Sequence, residues 1–319
     1  MLIQVCIFIV GLIVLSWSAD RFIYGASALA RNIGVSPMMI GLTIVAMGSS
    51  APEIVVSATA SMAGNHNTGI GNAIGSNITN IALVLGLTAL FKPLSVSSGT
   101  VKRELPILLG ITLIGCYFLS DSNFTQREGL ILIIMFFAVI VGMAWISLSV
   151  EMGDPLISET EDEIPSDVPI GSAVMWVLAG LVLLPTSAHF MVESAVDIAR
   201  YFGISDLVIG LTIIALGTSL PELAASIAGV VKGEHDLALG NVIGSNMFNL
   251  LAVLAMPGLI APGILDPDIA QRDIYVMLGL TILLFLFSFN YSGARRITRF
   301  EGLVFVAAYM AYQYWLLMQ

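Results

Sequence analysis

The sequence carries little charge for its length. Of its 319 residues, 11% are Asp, Glu, Lys or Arg and 57% are hydrophobic, and the mean hydropathy is +0.96. A soluble globular domain has about a quarter of its residues charged, so the composition excludes that class. It predicts a polytopic membrane protein whose solvent is the lipid bilayer. Nothing in the sequence indicates a nucleic-acid partner or an obligate protein partner.

Cysteine and histidine are also scarce, with two and three residues. Cys6 and Cys116 lie in apolar segments, and we expect both to be buried small hydrophobic residues without a disulfide or a metal ion. The apolar segments carry no Ser–His or Asp–Asp arrangement of an intramembrane enzyme, and no histidine cluster of a zinc site. We therefore predict neither enzyme activity nor a cofactor.

Ten apolar segments are long enough to cross a bilayer as helices, which predicts an all-α fold. The first of them lacks the basic n-region and the cleavage site of a signal peptide, so we expect it to remain as the first helix. The segments are residues 2–19, 37–62, 71–91, 104–119, 128–150, 170–190, 205–231, 240–259, 273–290 and 300–318.

One long stretch of the chain is polar. Residues 151–169 carry seven acids and three prolines, and we interpret them as a solvated linker between a first five-helix half, 1–150, and a second, 170–319. With ten spans, nine of the twelve Lys and Arg residues fall on the side of this linker. The positive-inside rule makes that side cytoplasmic, so both termini are expected on the outer side.

The two halves are copies of each other. Residues 41–87 align with residues 210–256 at a constant offset of 169 without a gap, and 21 of the 47 positions are identical. The same offset aligns KRELPILL at 102–109 with QRDIYVML at 271–278. Because each half holds an odd number of spans, the second half enters the membrane from the opposite side. Such inverted-topology repeats are typical of secondary transporters, whose substrate site lies near the bilayer midplane.

Each half contains a glutamate beside a proline in an apolar run, GSSAPE at 48–53 and GTSLPE at 217–222. Pro52 has no N–H, so it frees the carbonyl group four residues before it, and a free carbonyl at membrane depth needs a partner. Neither apolar run has a Lys or Arg that could neutralise its glutamate. Carboxylate, hydroxyl and carbonyl oxygens suit Na⁺ or Ca²⁺ better than zinc or copper. The predicted oxygen donors here are Ala46, Ser49, Ser50 and Glu53, and Thr218, Ser219 and Glu222.

A second motif follows in each half, GNAIGSNITN at 71–80 and GNVIGSNMFN at 240–249. Residues four apart share a helix face. Each motif thereby pairs a hydroxyl with an amide as uncharged oxygen ligands, Ser76 with Asn80 and Ser245 with Asn249. Asn77 and Asn246 fall on another face, and bonding of the loosened backbone is the role we expect for them. For the two serines alone, helix packing is an equally good explanation, whereas packing does not explain the two glutamates.

These four motifs, in this order and spacing, resemble the repeats of the sodium/calcium exchanger family, the calcium:cation antiporters, and above all its short prokaryotic members. The resemblance covers essentially the whole chain. It implies a prokaryotic inner (plasma) membrane protein that exchanges Na⁺ for Ca²⁺ by alternating access, with long first and sixth helices, about 2–30 and 170–200, that slide as a gating pair. The metal ligands that it implies are Ala46, Ser49, Ser50, Glu53, Ser76, Asn80, Ala215, Thr218, Ser219, Glu222, Ser245 and Asn249.

The chain departs from the family pattern at two points. Many relatives have Asp where this sequence has Asn249, so the site has one carboxylate fewer, which argues against a K⁺-dependent subtype. Animal members insert large Ca²⁺-sensing domains between the halves, and the linker at 151–169 is too short to hold one.

Other functions remain open at this point. Buried carboxyl groups also take protons, because desolvation favours their neutral form, so an antiporter of H⁺ and Ca²⁺, or of another divalent cation, is the alternative. It would need only a pH gradient. A cation channel would carry Ca²⁺ without any counter-ion, and a membrane scaffold would not need matched carboxylates.

Overall fold

The structure is a computed structural model, and it describes residues 2–97, 99–149, 168–203, 215–289 and 295–318. The predicted acidic linker at 151–169 falls outside these ranges except for its last two residues. The described part is mostly helical. Its helices are numbered here so that each one in the first half is followed six numbers later by its copy in the second half.

The first half contains α1 (Leu2–Ile33), α2 (Pro37–Ser49), α3 (Ala51–Met62), α4 (His66–Phe91), α5 (Leu105–Leu119) and α6 (Gln126–Ser149). The second half contains α7 (Ile170–Tyr201), α8 (Ala215–Thr218), α9 (Leu220–Val231), α10 (His235–Ile260), α11 (Ile274–Ser288) and α12 (Arg299–Leu317). A π-helical turn precedes α5 at Thr100–Glu104 and α11 at Ile269–Asp273.

The ends of matched helices have matched causes. Glycines with positive φ follow α1 and α7 at Gly34 and Gly203, with φ of +77° and +76°. A β-carbon is disfavoured in this left-handed conformation, so glycine is the usual residue just after a helix. At the start of α6 and α12, a threonine and a glutamate three residues later bond each other's backbone N–H groups. This capping box fixes where the last helix of each half begins.

The helices confirm a membrane protein. Among the described residues, six helices are long and apolar enough to cross a bilayer, and the bent pair of α2 and α3, at 43°, makes a seventh. The six are Leu2–Ile33, His66–Phe91, Gln126–Met143, Ile170–Tyr201, His235–Ile260 and Ile269–Ser288. The predicted spans 104–119, 205–231 and 300–318 contain helices of 15, 12 and 19 residues that are not among them. The count of ten therefore stays a prediction.

The helices α1 and α7, of 32 residues each, pack antiparallel along their length. The Gln4 side chain donates to Asp197 at one end, at 2.8 Å, and the Asn32 side chain donates to the Val168 carbonyl at the other, at 3.0 Å. Their lengths agree with the two long helices that the resemblance implies. Cys6 on α1 is exposed, contrary to our expectation, whereas Cys116 on α5 is buried.

Two short strand pairs, which the sequence did not predict, accompany the helices. The strands are β1 (Leu94–Ser95), β2 (Asn123–Phe124), β3 (Gly263–Ile264) and β4 (Arg296–Ile297). The strand β1 pairs with β4 and β2 pairs with β3, both antiparallel, so each pair joins a loop of one half to a loop of the other. Strands of two residues have no hydrophobic alternation by which a sequence could reveal them.

The two strand pairs define opposite ends of the molecule. At the β2–β3 end, α4 begins, and the His66 ring bonds the Ile264 carbonyl at 2.8 Å. At the β1–β4 end, α4 finishes, and Arg299 at the start of α12 donates to the Phe91 carbonyl at 3.4 Å. The most buried of the spanning helices, α4 and α10, run between these ends. They form the frame on which the candidate site is built.

Candidate ion-binding site

The two proline motifs break their helices in the same way. The first helix piece ends at Ser49, and Ser50 then leaves the helical conformation, with φ of −90° and ψ of 4°. Ser219 repeats this geometry in the second half, with φ of −95° and ψ of 6°. Pro52 and Pro221 lie in the first turn of the helix piece that follows. A proline is well suited to a first turn, because the N–H it lacks has no partner there.

Glu53 and Glu222 lie in the first turns of α3 and α9, where the helix dipole favours a negative charge. Their exposed fractions are 2% and 0%. Both carboxylate oxygens of Glu222, and Oε2 of Glu53, have no hydrogen-bond partner within the described part of the chain. The two carboxyl groups also lie close enough to interact electrostatically. A buried charge is costly unless it is paired, so this pair favours a bound cation.

Residues from opposite halves meet around these carboxylates. The Ser49 hydroxyl on α2 lies 3.3 Å from Oδ1 of Asn241 and 3.4 Å from the hydroxyl of Ser245, both on α10. The Glu222 carboxylate lies beside Ser49 and Ser50. The first half's serines thus share one site with the second half's glutamate. Ser219 is buried at the second break.

The second pair of motifs lies on α4 and α10, where the α-helix changes to a π-helix. The α-helical hydrogen bonds end at Ile78 and Phe248, and π-helical segments follow at Thr79–Leu85 and Asn249–Val253. A π-turn holds more residues than an α-turn. Asn80 and Asn249 lie in these wider turns, so their positions relative to Ser76 and Ser245 differ from those in a regular α-helix. The predicted ligands here are all buried, namely Ser76, Asn80, Ser245 and Asn249. The amide oxygens of both asparagines lack partners within the described ranges.

The remaining predicted ligands are two alanines and Thr218. The Ala46 carbonyl accepts the Ser50 N–H at 3.0 Å and the Ser49 hydroxyl at 3.3 Å. Ala215 lies in α8, and its side chain is outside the described part of the structure. Thr218 and Ser76 line a cavity of about 300 Å³ that extends toward the β2–β3 end, where it is bounded by Asp273 and Tyr312.

The sequence prediction missed the first asparagine of the second motif. Asn72 donates to the Glu53 carbonyl at 3.1 Å, and Asn241 donates to the Glu222 carbonyl at 3.2 Å. Asn241 also donates to the hydroxyl of Ser226 at 3.1 Å. These bonds tie each glutamate's backbone to the second motif of its own half. Both asparagines are identical across the repeat, and that signal could have found them.

The role expected for the other two asparagines is therefore wrong. Asn77 donates to the sulfur of Met277 at 3.5 Å, not to a loosened backbone carbonyl. Neither polar side-chain atom of Asn246 has a partner in the described structure. Both residues are buried. The backbone carbonyls of Glu53 and Glu222 are bonded by the first asparagine of each motif, Asn72 or Asn241, and not by Asn77 or Asn246.

The donor set can hold hard cations. It offers two carboxylates, serine hydroxyls and asparagine amides, which are oxygen ligands that Na⁺ and Ca²⁺ accept. No group of three or more His, Cys, Asp or Glu side chains suited to a metal ion occurs in the described residues. Buried oxygens without partners, matched between two halves, are the arrangement that a bound cation would stabilise.

We predict that Asn241→Asp lowers ion exchange more than Asn241→Ala. The aspartate keeps the size of the side chain but has no N–H₂ group, so a carboxylate oxygen would face the Glu222 carbonyl at about the 3.2 Å that now separates donor and acceptor. An unsatisfied buried polar group costs about 1–3 kcal/mol, and here repulsion is added. Na⁺-dependent ⁴⁵Ca²⁺ uptake by proteoliposomes and thermal unfolding in detergent would measure both effects. Equal transport by the two variants would contradict the donor role.

The chain matches known proteins over nearly its full length. The model of the family described as "Sodium/calcium exchanger protein" matches residues 3–145 and 172–318. The chain is 54% identical over 314 residues to "Putative antiporter CaxA" of Alkalimonas amylolytica, covering 98% of each. It is 42% identical over 291 residues to "Inner membrane protein YrbG" of Escherichia coli, covering 89% of this chain and 88% of the relative. The solved structure of the sodium-calcium exchanger NCX_Mj matches with a TM-score of 0.82 and 33% identity, covering 97% of each chain.

The fold and these matches identify a helical membrane protein of the cation antiporter class. The chain belongs to the sodium/calcium exchanger family, as its four motifs indicated. Its length is that of the short prokaryotic members.

Proposed function

We propose that the protein exchanges Na⁺ for Ca²⁺ across the inner membrane at a site between Glu53 and Glu222. The observation that carries the proposal is the pair of buried carboxylates, one from each half, that face each other without a cationic side chain among their described partners. Two carboxylates match the charge of one Ca²⁺ or of two Na⁺. The two ions can thus compete for the same oxygens.

The proposed ligands are the twelve residues that the resemblance implies. They comprise Ala46, Ser49, Ser50, Glu53, Ser76 and Asn80 from the first half, and Ala215, Thr218, Ser219, Glu222, Ser245 and Asn249 from the second. Most of the ligand side chains that the structure describes are buried, and side-chain oxygens of Ser50, Glu53, Asn80, Glu222 and Asn249 have no partner among the described residues, which supports this assignment. No described side chain supplies a third acid beside them, so we propose a site with two carboxylates and without K⁺ dependence.

Coupling follows from the cost of moving uncompensated charge. A pocket with two unpaired carboxylates resists passage through a dry barrier, so only the cation-loaded states move. We propose that the two halves are inverted five-helix repeats in a ten-helix fold. The two halves would exchange roles as α1 and α7 slide past the remaining helices. Matched contacts support this, because β1 and β3 occupy equivalent loops, as do β2 and β4, so that the β1–β4 pair of one end is the counterpart of the β2–β3 pair of the other.

At the β1–β4 end α10 packs tightly on α2, whereas a cavity borders the proposed ligands toward the β2–β3 end. At Gly240 on α10 an added β-carbon would lie 2.6 Å from the Met38 carbonyl and 3.1 Å from Gly41 Cα, so α10 packs tightly on α2. The matched glycine of α4 is Gly71. The cavity described above borders Gly71. We propose that this conformation gives access to the ion site from the β2–β3 end.

The orientation is proposed from charge. The loops and helix ends at the β1–β4 end carry Lys92, Lys102, Arg103, Arg295, Arg296 and Arg299. The positive-inside rule then makes the β1–β4 end cytoplasmic, with both termini outside. The access route on the β2–β3 end would accordingly open to the outside.

A gradient experiment tests the proposed function. Proteoliposomes loaded with Na⁺ are expected to take up ⁴⁵Ca²⁺ when diluted into Na⁺-free buffer, and K⁺-loaded vesicles are not. The binding site returns to the other membrane face only when it carries a counter-ion. An imposed pH gradient without Na⁺ serves as the control for the H⁺/Ca²⁺ alternative. Uptake that follows the pH gradient and ignores Na⁺ would replace the proposal by H⁺ exchange. Uptake that needs no gradient would mean a channel.

A further inference from the structure

We propose that Glu104 and Asp273 are a second pair of matched carboxylates, one at each mouth of the protein, that take up the cation before it reaches Glu53 and Glu222. The inference rests on the proposed function, because it adds an entry site to the same ion path. The ligand would be a hard cation, Na⁺ or Ca²⁺, since a carboxylate is the group that would recognise it.

The repeat relates the two residues in sequence and in local structure. They lie 169 positions apart, in KRELPILL and QRDIYVML. Each is the last residue of a π-helical turn, Thr100–Glu104 or Ile269–Asp273. Each accepts a hydrogen bond from Nε of the arginine before it, at 2.6 Å for Glu104 and 2.7 Å for Asp273. The two carboxylates are therefore held by the same device, one near each end of the molecule.

Asp273 lies on the wall of the cavity that reaches the ion site. Ser76 and Thr218, two proposed ligands, line the same cavity. Tyr312 donates its hydroxyl to Asp273 Oδ1 at 3.0 Å, and Arg272 bonds both carboxylate oxygens, so the carboxylate is fixed in position. These bonds use about three of the roughly four lone pairs that a carboxylate offers. A cation that enters from the β2–β3 end would meet this carboxylate on the way to Ser76.

The charge near Asp273 also favours a cation. Arg272 is shared with Asp268, whose carboxylate accepts from it at 3.0 Å. One arginine between two aspartates leaves the group with a net charge of −1. A fixed negative charge at a mouth raises the local concentration of cations and so the rate of entry.

Glu104, the residue matched to Asp273, is buried in this conformation. Its side chain is 1% exposed, and its Oε2 atom has no hydrogen-bond partner within the described ranges. A buried ionised oxygen without a partner is costly, so a conformation that gives it one is favoured. The β1–β4 end, near which Glu104 lies, is where α10 packs on α2. When that end opens, Glu104 would occupy the position toward the cytoplasm that Asp273 occupies here.

The test measures the apparent KM for Ca²⁺ separately at each membrane face, in right-side-out and inside-out vesicles. Asp273→Asn is expected to raise KM about threefold to fivefold when Ca²⁺ is supplied at the β2–β3 face, and to leave KM unchanged at the other. Glu104→Gln is expected to do the reverse. Vmax is expected to change little for either variant, because neither residue belongs to the central site.

Two control variants distinguish a role of Asp273 in ion entry from a structural role. Glu193→Gln removes an exposed carboxylate that lies neither on the cavity wall nor in the group of Asp268, Arg272 and Asp273, and is expected to leave KM within twofold of the wild type at both faces. Asp273→Glu keeps the charge and is expected to restore KM, which also covers the case in which Asp273→Asn fails to fold. A KM raised equally at both faces, or unchanged at both, would overturn the inference. A wild type that does not exchange Na⁺ for Ca²⁺ would instead overturn the proposed function.

Discussion

Glu53→Gln and Glu222→Gln each abolish Na⁺-dependent Ca²⁺ uptake, and this is the largest effect that we expect from any substitution. Glutamine keeps the size and the hydrogen-bonding oxygen but removes the charge that balances the cation. Each site carboxylate is buried, with 2% and 0% exposure, so no water replaces the lost charge. Truncating one partner of a buried charge pair costs about 3–5 kcal/mol, which corresponds to a loss of at least a hundredfold in affinity.

The measurement is ⁴⁵Ca²⁺ uptake by Na⁺-loaded proteoliposomes, with Glu193→Gln as the matched control. Glu193 lies on α7, and its side chain is 60% exposed and pairs only weakly with His189, at 3.4 Å. Its loss is expected to leave uptake close to the wild-type rate, because exposed pairs contribute about 0–1 kcal/mol. If either site variant retained half of the wild-type uptake, the glutamates could not be the coupling element.

The two variants should also behave alike. The repeat gives Glu53 and Glu222 the same place in the first turn of a broken helix, and an asparagine donates to the backbone carbonyl of each. They differ in their neighbours, since Glu222 lies beside Ser49 and Ser50 in this conformation. An exchanger that alternates between two states in which the halves swap roles would visit both arrangements. A large difference between the variants would mean that one half carries most of the binding.

The sequence predicted those parts of the site whose cause is local. Proline removes a hydrogen bond from a helix interior, and a glutamate without a nearby cation needs a ligand at membrane depth, so the sequence alone pointed to Pro52 and Glu53. The repeat, at an offset of 169, places the same residues at Pro221 and Glu222 in the second half. Helices α1 and α7 were likewise expected, and the structure has them at 32 residues each.

The parts that sequence did not predict depend on packing between distant segments. Apart from Thr79, Asn80 and Asn249, the π-helical segments at Thr79–Leu85 and Asn249–Val253 contain ordinary apolar residues, and nothing in them marks a wider turn. The strand pairs join residues that are far apart in sequence, such as Leu94 and Ile297. Asn72 carries no local sign that it will bond the Glu53 carbonyl, which lies 19 residues away. Only the repeat itself offered a signal for that residue.

The glycines of α10 and α4 provide the test of alternating access with the largest contrast. A β-carbon at Gly244 would lie 2.6 Å from the Ala46 β-carbon and 2.6 Å from the Leu42 carbonyl, and no flexible side-chain tip can move aside there. The matched Gly75 of α4 lines the cavity beside Ser76 and Thr218. Gly244→Ala is therefore expected to destabilise this conformation by about 1–3 kcal/mol, and Gly75→Ala is not.

Transport should respond to both substitutions, because the exchanger must visit both states. If the halves exchange roles, α4 packs closely on the second half's broken helix in the opposite state, and Gly75→Ala then raises the energy of that state by a similar amount. A bias of about 1–3 kcal/mol shifts the ratio of states roughly 5-fold to 150-fold. We expect Gly244→Ala to lower both the unfolding temperature and Na⁺-dependent uptake, and Gly75→Ala to lower uptake alone. Gly279→Ala on α11, with no described residue within 4 Å of its added carbon, is the control for a glycine outside these contacts. Normal uptake by Gly75→Ala would mean that α4 never makes the approach that α10 makes here, and the rocking of two equivalent halves would have to be given up.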